Sequence, residues 1–442
     1  MARRRKSGRT VYQTELQKAM AQFLPKRGLP LMSDDGRVRW TDRLLMMTAV
    51  LMTWTAEATL RDAFASARGV VAAMYDSRRR PGRTFEGFWK TLLQAAPRLL
   101  ALVGTHLRRE VEYVAGAAWR WKGWAVMAVD GTRVDCPRTP ANEEAFGCAG
   151  KPGTGPQMLL TTIFHLATGL LWAWRRSAGN DSERGHLREL LPLLPPETLL
   201  IADAGFVGYA MLCLLLLAGH HFVMRVGCNV RLLRKLGFDV LEMGNTVYLW
   251  PQGLRRTHKP LVLRLVRVQA AGRRTMTLLT SVLDPRRLSD ADVVELYRRR
   301  WGIELLYRSL KQTLRRRKML SGVPEHAEME LDWAMVGLWL LGLMTAKAAG
   351  REVRRGRPWS LAAALRVVRG AMRRLGVPRS AGGLHRQLQR AVRDRYVRHR
   401  PKAARYWPRK KNEHPPGAAK IRTATHAERQ LAQEFRSCPD LN

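Results

Sequence analysis

Cysteine is sparse in this chain: Cys136, Cys148, Cys213, Cys228 and Cys438 are odd in number, scattered, and without close paired spacing. That excludes a disulfide framework and a cysteine-based zinc site. His220 and His221 adjoin the strand-like HFVMRVG but have no second ligand cluster, so no metal role is assigned to them. Long apolar runs are lacking as well. The longest candidate, Trp333 to Ala346, is bounded by Asp332 and Lys347 and falls short of the roughly 20 residues a bilayer requires. It is expected to be a buried helix, and no membrane association is expected. The basic N-terminus is followed by no apolar stretch, so no secretory signal is apparent and a cytoplasmic, nucleoid-associated protein is expected. No internal repeat is evident. Acidic residues are scarce too: 36 stand against 77 lysines and arginines, a net charge of +41. So large an excess argues against a small neutral substrate and for a polyanion, of which nucleic acid is the obvious one. Binding through so many cations would depend strongly on salt and little on sequence.

Within the basic chain, Tyr297, Arg300, Glu304 and Lys311 recur in YRRRWGIELLYRSLKQTL at spacings close to whole helical turns. On one continuous helix they would fall within an arc of roughly 60°. Arg308 lies one turn beyond Glu304, and Leu296, Ile303, Leu306, Leu310 and Leu314 fill a neighbouring arc. One side of such a helix can be buried while a carboxylate, an aromatic ring and cations face a cleft. Charged helix faces are common in basic chains and are usually solvated surface. Four specified residue types at these spacings, however, should arise by accident only on the order of a few times per thousand such chains.

The pattern resembles the signature of the DDE transposases of bacterial insertion sequences, in the branch defined by Tyr, Arg, Glu and Lys (the insertion sequence four family). The resemblance implies two upstream aspartates at the ends of core strands in a ribonuclease-H-like α/β domain. Both segments are present. WAVMAVDGTRV places Asp130 after an apolar run and before Gly131, which reads as a buried strand ending at a turn. TLLIADAGFVG does the same for Asp203, with a helix expected over Tyr209 to Ala218. Between them, a hairpin turning near Thr168 and Gly169 precedes a helix capped near Asp181. An aspartate before glycine is by itself more often a turn former than a catalyst. It is the pair together with Glu304 that carries the expectation.

Three converging carboxylates would repel one another and hold protons unless hard divalent cations neutralised them. The resemblance therefore implies Mg2+, as two ions, with Mn2+ able to substitute, held by Asp130, Asp203 and Glu304. It also implies phosphate contacts from Arg300, Arg308 and Lys311. Tyr297 has two readings, a contact to the bound DNA strand or a tyrosine half-buried against the core.

The motifs divide the chain. Residues 1–112 are expected to form a helical N-terminal domain, with Thr41 and Thr84 as caps. The RRRK head and the loop SRRRPGR suit DNA, but no sharp helix-turn-helix signature appears, and a scaffold with a solvated basic face fits equally. Residues 113–228 and 288–350 would be the two parts of the core. The 100 residues between Asp203 and Glu304 imply an insertion, read as a β-rich subdomain over 229–287. Trp250 within it is either a base-stacking or a core tryptophan. Residues 351–442 form a basic region, helical at first and then disordered or folding on DNA, with Tyr396, Tyr406 and Trp407 able to touch bases or sugars.

The function expected from all this is metal-dependent cleavage at transposon ends and strand transfer into double-stranded target DNA, by a homodimer in a synaptic complex. Two alternatives stay open. One is a nuclease with the same core that cuts without joining. The other is a decayed DNA-binding protein, kept open by Ala204 and Phe206, which stand where many relatives are expected to carry arginine and tyrosine.

Overall fold

The computed structural model describes residues 15–25, 39–75, 81–149, 154–239, 242–269, 275–350, 359–374, 383–391 and 418–437. The RRRK head, most of the SRRRPGR loop, and Tyr396, Tyr406 and Trp407 lie outside them. Four helices come first: α1 (Glu15–Phe23), α2 (Asp42–Trp54), α3 (Leu60–Met74) and α4 (Phe85–Ala115). The Thr84 hydroxyl accepts from Gly87 N and starts α4, as its place before the helical pattern led one to expect. Thr41 holds the N-cap position of α2 in extended backbone, without a side-chain cap bond.

A mixed ten-stranded sheet follows. Its strands are β1 (Ala125–Asp135), β2 (Gln157–His165), β3 (Leu170–Ala178), β4 (Thr198–Ala202), β5 (His221–Val226), β6 (Arg231–Arg234), β7 (Thr246–Leu249), β8 (Leu261–Val268), β9 (Met276–Thr280) and β10 (Lys420–Thr423). Their spatial order is β10-β6-β7-β8-β9-β5-β4-β1-β2-β3. β1, β2 and β3 form an antiparallel meander, while β4 and β5 run parallel to β1. The β2–β3 hairpin turns at Gly169, whose φ of +69° is open to glycine at little cost. The short helix α5 (Pro140–Phe146) lies between β1 and β2. The crossover helices α6 (Glu183–Leu190) and α7 (Tyr209–Leu217) return the chain to the parallel strands. Ser182, one residue past Asp181, is the N-cap of α6.

The segment read as a β-rich insertion supplies β6 to β9. These strands build no sheet of their own: β9 pairs antiparallel with β5, and β8, β7 and β6 continue from there. The C-terminal region adds β10 beside β6 and a helix that packs against this edge, introduced below as α13. Trp250 is 2% exposed, donates its Nε1–H to His258 O at 2.6 Å, and packs edge-on against Phe435 of that helix. It is a core tryptophan, because the C-terminal helix closes over it.

The remaining helices are α8 (Asp290–Arg299), α9 (Gly302–Arg308), α10 (Pro324–Ala349), α11 (Leu361–Arg373), α12 (Leu384–Gln389) and α13 (His426–Ser437). α10 extends well beyond the apolar run seen in the sequence. Among the described residues it is the helix long and apolar enough to cross a bilayer, and that stretch is entirely buried inside the protein. α1, α2, α4, α11, α12 and β3 surround it. Its backbone even accepts from an N-terminal residue, Trp54 Nε1 to Gly337 O at 3.0 Å. The N-terminal helices and the sheet thus share one hydrophobic cluster instead of forming separate cores.

Candidate active site

The middle of β1 and the C-terminal end of β4 make the floor of the site. These strands pair in parallel as far as Ala128 and Ile201, so the next residues of each emerge side by side. Asp130 and Asp203 follow one residue later, after Val129 and Ala202. β1 does not end at Asp130 as its Asp-Gly sequence suggested. It runs on to Asp135 against β2, with Asp130 opposite Thr162. Gly131 serves packing instead of a turn: a Cβ there would lie 2.1 Å from Glu183 Oε1. Asp203 caps the short helical turn Ala204–Phe206, its Oδ1 accepting from Ala204 N at 2.7 Å.

The motif helix differs from a continuous wheel. α8 stops at Arg299, and Arg300 N is shared between Leu296 O and Tyr297 O, both at 3.2 Å. α9 begins at Gly302, where a Cβ would crowd Phe164 at 3.3 Å. Ser309–Thr313 then widens into a π turn, closed by Leu314 N donating to Ser309 O at 2.9 Å. The offset and the extra residue change where each side chain points.

The side chains nevertheless gather on the aspartates. Arg300 Nη1 lies 3.3 Å from Asp130 Oδ2 and Nη2 lies 3.7 Å from Asp203 Oδ2, so one buried guanidinium joins them. Tyr297, 8% exposed, donates its hydroxyl to Asp203 Oδ1 at 3.2 Å, and Arg300 stacks over its ring. Burial, then the nearby Asp203 charge, pushes the Tyr297 hydroxyl up to about 12. Burial also raises Asp130 above the ordinary carboxylate range, with Arg300 opposing it. Glu304 is raised by burial too, opposed by Arg300 and reinforced by the charges of Asp130 and Asp203. Lys311 does not face this group. Its Nζ donates to Thr132 Oγ1 at 2.7 Å, one strand step beyond, and burial lowers its pKa. Arg308 is exposed, in a cleft of about 700 Å³ shared with Arg298, Arg299, Gln312 and Trp301, whose ring is 59% exposed.

Two residues here escaped the sequence reading. Tyr307, 7% exposed, donates its hydroxyl to the backbone O of Asp130 at 2.5 Å and accepts from Thr162 Oγ1 at 2.9 Å. It lies three residues past Glu304, and only the fold shows what it meets. Tyr307→Phe is expected to cost about 1–3 kcal/mol, because it strips a partner from a buried hydroxyl. Urea denaturation measures this, and an unchanged unfolding free energy would rule out the bond. The second is Glu183, in the first turn of α6. Burial raises its pKa, and the charge of Asp130 adds to the rise. An acidic residue just after the hairpin was its only trace in the sequence.

Among the described residues, no three acidic, histidine or cysteine side chains already converge tightly enough to enclose an ion. Between Asp130 and Asp203 the positive charge is that of Arg300. The donor set still fits a hard divalent cation in kind. It consists of carboxylate oxygens only, all half-buried, and burial raises the pKa of Asp130 and of Glu304.

The chain is similar to known proteins over this same region. Residues 121–340 match the family described as the transposase DDE domain. Over 229 residues it is 32% identical to the transposase InsG for insertion sequence element IS4 of Escherichia coli (strain K12), covering 49% of this chain and 51% of that protein. The chain thus spans about half the length of the curated relative it matches. A solved structure of the piggyBac transposase synaptic complex with hairpin DNA aligns with a TM-score of 0.41 and 14% identity, over 87% of this chain and 83% of that one. The matched domain takes in Asp130, Asp203 and the whole Tyr-Arg-Glu-Lys segment, so over this half of its length the chain is similar to the DDE transposases, the IS4 protein among them.

Proposed function

We propose that the protein is a DNA transposase that cuts at the ends of its element and joins the freed 3′-ends to a target phosphodiester. The observation that carries this is the meeting of Asp130 and Asp203, from the neighbouring parallel strands β1 and β4, on the single guanidinium of Arg300, with Glu304 electrostatically coupled to both. The antiparallel β1–β3 meander flanked by parallel β4 and β5 supports a ribonuclease-H-like core, extended by the strands of 229–287.

In this reading Asp130, Asp203 and Glu304 hold two Mg2+ ions, for which Mn2+ can substitute. Divalent ions held there would supply activation of a water or 3′-hydroxyl and charge to offset that of the departing oxygen. Tyr297 and Tyr307 orient Asp203 and Asp130. Their hydroxyls are already engaged, so Tyr297 acts by positioning and not by gripping DNA. Arg300 balances the charge of the carboxylates and of the developing transition state, and Arg308 offers an exposed contact to phosphate. Lys311 steadies β1 through Thr132 and adds a cation for the backbone of a bound strand. The net charge of +41 suits the duplexes this demands. A homodimer that holds two ends together in the nucleoid-bearing cytoplasm completes the proposal.

Incubating the purified protein with Mg2+, supercoiled target and DNA carrying the inverted repeats that flank its coding region tests it. Cleaved ends joined to target are expected. Cleavage without joining would make it a nuclease, and binding without either would make it a DNA-binding protein alone.

A further inference from the structure

We propose that Glu183 is a fourth carboxylate of the metal site, reaching it from α6 across the middle of β1 and the end of β4. This rests on the transposase reading of Asp130, Asp203 and Glu304.

The placement is specific. Glu183 Oε1 lies 2.1 Å from where a Cβ on Gly131 would stand, and Oε2 lies 3.5 Å from one on Gly205. A single carboxylate therefore spans the gap between the backbones just beyond Asp130 and Asp203. Any side chain at position 131 would push it away, so glycine there leaves a cradle that the carboxylate fills. The helix that carries it is anchored. His186, one turn further on, is buried between Thr161 Oγ1 at 2.9 Å and Ser177 Oγ at 2.6 Å, tying α6 to β2 and β3. The charged groups facing Glu183 are Asp130 and Asp203 as like charges and Arg133 as the opposing one. Arg133 spends its Nε–H on Gly179 O, and among the described residues no hydrogen bond or ion pair to the Glu183 carboxylate is made.

An acidic residue in the first turn of a helix has an ordinary explanation, attraction to the helix N-terminus. That attraction is satisfied just as well by a carboxylate directed into water. Turning it inward, toward Asp130 and Asp203 with Arg133 offsetting that repulsion only in part, is unfavourable unless a cation is shared among them.

Direct Mn2+ titration of the full-length protein, read by calorimetry or by the spin resonance of free Mn2+, separates the two explanations. Glu183→Gln is expected to weaken Mn2+ binding about tenfold or more, while the metal-free melting temperature stays the same or rises. Gly131→Ala, which displaces the carboxylate, should weaken Mn2+ comparably and add little when combined with Glu183→Gln. Unchanged Mn2+ affinity in Glu183→Gln, or a lowered melting temperature with the wild-type affinity, overturns the proposal. If Glu183→Gln does not fold, Gly131→Ala with wild-type affinity overturns it as well. Asp130→Asn keeps the two readings apart. Should the wild type bind no Mn2+, or should Asp130→Asn bind it as well as the wild type, the metal site itself is refuted and not merely its fourth member.

Discussion

Asp130→Asn is expected to abolish metal-dependent cleavage of end DNA while leaving DNA binding intact. The substitution keeps the size of the side chain and an oxygen able to accept from Gly131 N, as Asp130 Oδ1 does at 2.9 Å. It removes the charge that Arg300 now balances from 3.3 Å. Ions at such a site supply several kcal/mol of transition-state stabilisation. At 1.36 kcal/mol per factor of ten, losing them slows the chemical step by roughly a thousandfold or more. Single-turnover cleavage measures the rate, and gel mobility with the same DNA shows whether binding survives. A variant that cuts within tenfold of the wild-type rate would remove Asp130 from the chemistry. Melting should not suffer, because burial already disfavours the charged form of this carboxyl and asparagine carries no charge.

The largest expected effect on stability lies behind the active-site helices. Arg316 follows the π turn, is nearly buried, and has its Nε 3.0 Å from Glu330 Oε1 on α10. Glu330 is 4% exposed, and its other oxygen accepts from Leu320 N at 2.8 Å. The pair fastens the segment leaving the motif to the core helix. Glu330→Ala would strand a buried guanidinium and a backbone N–H, at a cost of about 3–5 kcal/mol. The double replacement Arg316→Met with Glu330→Leu removes both charges and should recover most of that loss. Chemical denaturation of the three proteins decides it. A single-mutant loss below about 1 kcal/mol would mean that the pair is solvated and contributes as surface pairs do.

Much of the site was legible because its parts are local. The apolar runs before Asp130 and Asp203 had to be strands, and the Tyr-Arg-Glu-Lys spacing had to be helical. Both follow from side-chain periodicity within a few residues. The helix was less regular than its pattern implied. The shared bonds at Arg300 and the π turn at Ser309–Thr313 answer to tertiary demands, among them the close approach of Gly302 to Phe164. As a result Lys311 meets Thr132 and not the aspartates, although an ideal wheel put it beside them. Trp250 was ambiguous for a related reason. Whether a tryptophan stacks on a ligand or fills a core depends on what covers it, and its cover arrives from Phe435, far along the chain.

From the amino-acid sequence alone came the large excess of positive charge, the strand-forming apolar runs before Asp130 and Asp203, and the helical spacing of the Tyr-Arg-Glu-Lys segment. Each is encoded in composition or short-range spacing. The tertiary structure alone decided that β6 to β9 extend the central sheet, that α10 draws the N-terminal helices onto the same core, and that Tyr307 and Glu183 stand at Asp130. These are contacts between residues distant in the chain. Their specificity lies in which surfaces fit when strands and helices are brought together, and no local pattern records that.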